Sequence, residues 1–192
     1  MKKVLFVSLA LLATTFMACN PKHENVNPPQ KTDTIVVSQD LQYVVYCNEA
    51  ALQIMDFTLD YLTYPGEDIK TIAITQDWKS DLFSALSGRF GIRFTVEPKK
   101  DFVITDDLFD ATNGAYISIN YQIRDVFKQG SVSEFESKEF CQIDLRGKKK
   151  FKDELTPDAI RRFSYSCAYD YLYNPETNSI SLMPIKDYWE GK

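Results

Sequence analysis

The chain has 192 residues, 44% of them hydrophobic and 14% aromatic, which is enough for a packed core and excludes a disordered protein. Its 27 Asp and Glu outweigh 22 Lys and Arg, for a net charge of −5. That balance argues against nucleic acid as a partner, because such affinity comes largely from Lys and Arg on phosphates.

The first residues follow the recipe for a secretory signal. Lys2 and Lys3 give a positive start, and Val4 to Ala13 form an apolar run broken only by Ser8. Thr14-Thr15-Phe16-Met17-Ala18 then leads to Cys19. The run fits the roughly 7–15 residues of a signal core and falls short of the ~20 that a transmembrane helix needs. A cysteine at this point resembles the lipobox of bacterial lipoproteins, in which Leu and two small residues precede the Cys that receives lipid. Ala18 and Cys19 match that pattern, while Phe16 and Met17 stand where the family prefers Leu and a small residue. The resemblance implies cleavage after residue 18, lipidation of Cys19 and membrane attachment in a Gram-negative cell envelope. Asn20, rather than Asp, points by the same resemblance to the outer membrane, facing the periplasm. No acidic cluster follows Cys19 to support display on the cell surface.

Residues 20–31 are polar and proline-rich and read as a flexible tether, able to span about 40 Å if fully extended. Residues 32–192 read as a single β-rich domain. Thr34 to Val37 suggests a short strand. Leu41, Val44, Val45, Asn48, Ala51, Leu52 and Met55 then fall at helical spacing, and Ser38 is a suitable N-cap, so the pattern predicts a helix over 38–52.

From Ile54 the period becomes two, with Met55, Phe57, Leu59 and Tyr61 on one face. Pro65-Gly66-Glu67-Asp68 makes a turn, and Lys70 to Gln76 returns as the second strand of a hairpin. Further strands are predicted at Phe90 to Val96, Phe102 to Thr105, Tyr116 to Arg124 and Phe140 to Leu145. Thr156-Pro157-Asp158 starts a short helix ending near Arg162, with Thr as N-cap and Pro in the first turn. Phe163 to Tyr173 and Ser179 to Met183 flank a five-residue polar turn and form a second hairpin.

The expected fold is therefore mainly β. It is an antiparallel β-sandwich, with an Ig-like arrangement among its options, and carries one N-terminal helix. An α+β fold with that helix laid on one sheet is the alternative.

The only histidine, His23, lies in the tether. A flexible linker cannot hold a histidine beside a nucleophile, which argues against Ser-His-Asp and Cys-His catalysis and against zinc sites built on His. Cys47, Cys141 and Cys167 lack CxxC spacing; Cys141 and Cys167 both fall in strands, which leaves a bridge between them open. No cofactor and no metal site is expected.

Carboxylate chemistry needs no histidine, and Asp106, Asp107, Asp110, Asp153 and Glu154 are the candidates for it. The basic run Arg146-Gly147-Lys148-Lys149-Lys150-Phe151-Lys152 reads first as a solvated loop and second as a contact for anionic lipid or glycan. Tyr165, Cys167, Tyr169, Tyr171 and Tyr173 share one face of a strand. That row reads first as an inward face; exposed, Tyr169, Tyr171 and Tyr173, with Trp189 and Trp78, would stack on sugars or on a partner protein. The expected function is a lipid-anchored, non-enzymatic module that binds a glycan, an envelope component or a protein partner. A carboxylate-dependent glycoside hydrolase and a purely structural envelope protein are the alternatives.

Overall fold

The computed structural model describes residues 35–64, 68–177 and 179–192. The leader, Cys19, the tether with His23 and the turn residues Pro65 to Glu67 lie outside that range. The compact unit runs from Asp33 to Lys192.

The elements in chain order are β1 (Val36–Cys47), α1 (Glu49–Ile54), β2 (Met55–Leu62), β3 (Ile69–Ile74), β4 (Trp78–Lys79), β5 (Phe83–Ala85) and β6 (Ser87–Pro98). They continue with β7 (Tyr116–Phe127), β8 (Glu136–Asp144), α2 (Pro157–Arg161), β9 (Tyr165–Asn174) and β10 (Ser179–Pro184). Short 3-10 turns sit at Asp106–Phe109 and Lys149–Glu154.

All pairings are antiparallel and form two sheets, the β-sandwich arrangement expected from the alternating patterns. In one sheet β8 lies beside β7 and β7 beside β1, whose other side is shared by β4 at Val44 and Val45 and by β5 at Gln39 to Leu41. The other sheet runs β10-β9-β6-β2-β3. The predicted hairpins β2–β3 and β9–β10 both form, with Leu59 opposite Ile72 and Tyr171 opposite Leu182.

Two predicted elements are corrected. The helix expected over 38–52 is instead the twelve-residue β1, and helix begins only at Glu49, capped by the Asn48 side chain. β1 is central in its sheet, and Asp40 and Val44 on its outer face are buried along with Leu41, Tyr43 and Val45 on its inner face. With both faces covered, the run loses the period-two signature and mimics helical spacing. The segment Phe102 to Thr105 forms no strand and leads into the turn at Asp106.

The core between the sheets is aromatic. Phe57 stacks on Phe94 at 5.5 Å, and Phe90 lies within 6.4 Å of Tyr121, Phe140, Tyr169 and Tyr171, centroid to centroid. Phe140 reaches this cluster through a β-bulge: Ile119 pairs with Cys141 and Asn120 with Glu139, so Phe140 is the extra residue. Tyr43 crosses from β1 to the opposite sheet, where its hydroxyl donates to the Leu62 carbonyl at 2.9 Å and accepts from the Gly91 N–H at 3.1 Å.

Gly91 has its own constraint. A Cβ there would sit 2.4 Å from the Cys167 carbonyl oxygen, so only glycine lets β6 and β9 approach this closely.

Two ion pairs on the outer faces brace neighbouring strands. Arg124 holds Asp40 at 2.8 Å, and Arg93 holds Asp60 at 2.7 Å. Ser84 and Thr71 donate further hydrogen bonds to Asp40 and Asp60 respectively.

Candidate binding site

The chain enters the sandwich at Ile35, whose carbonyl accepts from the Lys128 N–H. β1 then runs the length of the sheet to Cys47, opposite Ile117, a distance of about 36 Å at the ~3.3 Å rise of a strand. The far pole, at the Cys47 end, gathers α1, the turn at Asp106–Phe109, the loop after β8 and α2.

That pole is built by short, tightly tied segments. The Leu145 N–H donates to the Ala115 carbonyl and the Gly147 N–H to that of Phe109, which fixes the loop leaving β8. Gly147, at φ 68°, takes the left-handed turn that starts the 3-10 segment. Thr156 caps α2 by accepting the Ala159 N–H on its hydroxyl, as the Thr-Pro-Asp sequence predicts.

Between β8, the 3-10 turn at Lys149–Glu154 and α2 lies a cavity of about 450 Å³. Its walls are apolar: Phe109, Ile143, Leu145, Leu155 and Phe163 line it, and Phe151 stands exposed at its lip. Lys148, Arg162 and Glu154 reach its rim, together with Asp144. Asp144 is neutralised by Arg146 at 2.9 Å, and that hydrogen bond holds its carboxyl below the usual range. Arg161 pairs with Glu97 and Asp158, whereas its neighbour Arg162 has no acidic partner among the described residues. The Lys148 side chain donates to the Asp144 carbonyl. The site is therefore an apolar pocket of ligand size with two cations and one uncompensated acid at its mouth.

The residues that the sequence offers as a binding surface lie apart from this pocket, and Tyr169 and Trp189 line a separate cavity of about 420 Å³ with Arg93. Tyr171 is 1% exposed and belongs to the core, Tyr169 stacks on Phe90 at 5.5 Å, and Tyr173 is half-buried at the end of β9. Trp189 is buried under the C-terminal segment, where its Nε1 donates to the Cys167 carbonyl at 3.0 Å and Arg93 covers its ring. Trp78 packs on Tyr61 at 5.1 Å. The tyrosine row thus forms the inner face of the sandwich, and Trp189 acts as a strut on the outer one.

The acidic candidates hold the far pole together. Asp106 pairs with both Lys149 and Lys152, and these hydrogen bonds pull its carboxyl down to about 2. Asp110 accepts the backbone N–H groups of Asn113 and Thr112, which lowers its pKa also. Among the described residues the carboxylates with displaced pKa values, Asp106, Asp110 and Asp144, all move down, the opposite of what a general acid requires. Among the described residues no group of three or more His, Cys, Asp or Glu side chains is arranged to hold a metal ion.

Cys47, Cys141 and Cys167 are free thiols, with burial pushing Cys47 up to about 11 and Cys141 up to about 12. Thiols held in that form are poor nucleophiles.

The basic run is largely engaged. Arg146 lies over the Tyr116 ring at 4.1 Å and Lys150 over Phe151 at 4.9 Å, while Lys149 and Lys152 hold Asp106. Of the pocket, Lys148 and Phe151 within the basic run and Glu154 among the acidic candidates stood out in the sequence; Phe109, Ile143 and Phe163 read as ordinary core positions until the turns bring them together.

No protein-family model, curated protein or solved structure matches this chain.

Proposed function

We propose that the chain is a lipid-anchored envelope protein, attached through Cys19, whose sandwich serves as a non-enzymatic binding module. Its ligand has an apolar body and an anionic end. The observation that carries this reading is the 450 Å³ apolar cavity with an unpaired Arg162 at its rim. Apolar walls supply affinity through removal of surface from water, and a guanidinium at the mouth orients a carboxylate or phosphate through paired hydrogen bonds. The cavity lies at the pole of the sandwich remote from Ile35.

Two measurements test the reading. Metabolic labelling with a fatty acid is expected to mark the wild-type protein and to miss Cys19→Ala; an unlabelled wild type removes the anchor. Calorimetric titration of residues 33–192 with dodecanoate and dodecyl phosphate is expected to show saturable binding, weakened at least tenfold by Arg162→Glu. Absence of saturable binding for both probes overturns the pocket assignment. Glycan turnover abolished by a single carboxylate substitution replaces the binding role with a hydrolytic one.

A further inference from the structure

We infer that β10 is a self-association edge, which pairs antiparallel with β10 of a second copy of this chain about a two-fold axis at Ser181. Among the described residues β10 pairs with β9 alone, so its other side carries unpaired backbone groups. The phase of the ladder identifies them. The Ile185 N–H donates to the Ala168 carbonyl, and Met183–Asp170 and Ser181–Leu172 follow in the same register, so these odd-numbered residues bond inward. Ile180 and Leu182 therefore direct their N–H and C=O groups outward.

A two-fold at Ser181 places Ile180 opposite Leu182 of the second copy, and Leu182 opposite its Ile180. All four outward groups on each strand then find partners. No shift of register is needed, and the match is the same from both sides, as an isologous interface requires.

Side chains and charge fit the same occupant. Ile180 and Leu182 project to the inner face with Tyr171, yet remain 44% and 38% exposed. Beside them a narrow cleft of about 140 Å³, lined by Phe90, Tyr121 and Tyr171, opens between β10 and β8. Across the proposed axis each Ile180 would pack on the opposing Leu182 and cover that cleft's margin.

β10 reads Ser-Ile-Ser-Leu-Met-Pro and bears no charge, whereas the other long edge strands carry Lys70 in β3 and Glu136, Lys138 and Glu139 in β8. Asp170 beside β10 is paired with Arg89. In a chain of net charge −5, this edge brings no charge of its own to the pairing of two copies, and Glu136 and Lys138, which line the cleft beside it, pair with each other. A single strand pair is small beside the ~1,600 Å² of a standard stable interface, so the dimer is weak in dilute solution and strengthens as copies are concentrated.

Ser181→Cys tests the geometry, because the two-fold brings each introduced thiol opposite its counterpart. Diamide oxidation of the full-length variant is expected to give a disulfide-linked dimer, and Ser137→Cys on β8 is expected to give none. In sedimentation equilibrium the wild type should dimerise at high concentration, and Leu182→Lys should weaken that at least tenfold while its circular dichroism stays native. A wild type that remains monomeric throughout, with no Ser181→Cys cross-link, overturns the inference. Equal cross-linking by Ser137→Cys overturns it as well, since that marks non-specific collision. Cross-linking of Ser181→Cys to another protein in place of itself assigns the edge to a foreign strand and rejects the dimer. Neither assay involves the pocket, so failure here leaves the ligand reading standing.

Discussion

Phe90→Ala should lower the unfolding free energy by about 3–5 kcal/mol, the largest loss expected from any single side chain in this molecule. Phe90 is fully buried on β6 at the point where four aromatic rings from β7, β8 and β9 converge. Truncation removes the transfer free energy of the ring and leaves a void that its neighbours cannot fill, since each is fixed by its own strand. Tyr121 and Phe140 approach one another at 4.8 Å and belong to the facing sheet, so they cannot follow the missing ring without disturbing that sheet's register. Urea unfolding followed by tryptophan fluorescence measures the loss. A decrease below about 1 kcal/mol would mean that the sheets can collapse onto the gap and that the rings are not the rigid centre described here. Phe90→Leu, which keeps most of the volume, should recover more than half of the effect.

The second large effect comes from one oxygen atom. Tyr43→Phe should cost about 2–4 kcal/mol although it changes no packing volume. The paired register of β2 and β6 ends at Tyr61 and Ile92, and beyond it the Tyr43 hydroxyl bridges Leu62 on one strand to Gly91 on the other. It takes the place of a direct ladder bond where the strands part. Removing it leaves a buried carbonyl and a buried N–H without partners, and each such group costs about 1–3 kcal/mol, with partial relief if a water enters. Burial also pushes the Tyr43 hydroxyl far above its ordinary pKa, so the bridge persists throughout the working pH range. Hydrogen exchange provides a direct readout: the Gly91 amide should be strongly protected in the wild type and should exchange much faster in the variant. Unchanged protection at Gly91 would show that the hydroxyl is not its partner.

The contrast between β1 and β2 shows what the amino-acid pattern can convey. β2 buries Met55, Phe57 and Leu59 while Asp56 and Thr58 face water, and this one-sided environment writes its period directly into the sequence. β1 is enclosed on both faces, so the pressure to alternate is gone and the buried Asp40 is held by Arg124 and Ser84. No local reading can anticipate a partner so far along the chain.

The same limit applies to the pocket. Its walls come from the turn before β7, from β8 and from both sides of α2, and each apolar residue looks like core until the turns leave a space among them. The tyrosine row was legible as an amphipathic strand face, but its neighbour Phe90 lies on a strand distant in sequence. The cap of α2, by contrast, is local chemistry, and Thr156 was readable outright.

The order of strands in the two sheets bears on when the chain can fold as it emerges from its amino end. β1 emerges first, but its long partner β7 begins only at Tyr116, and β6 waits for β9, which begins at Tyr165. A polypeptide threaded from its amino end therefore cannot close either layer until most of its length has been delivered. Pairings so remote in sequence are also slow to form. The topology thus acts as a timer, deferring compaction until most of the chain is present.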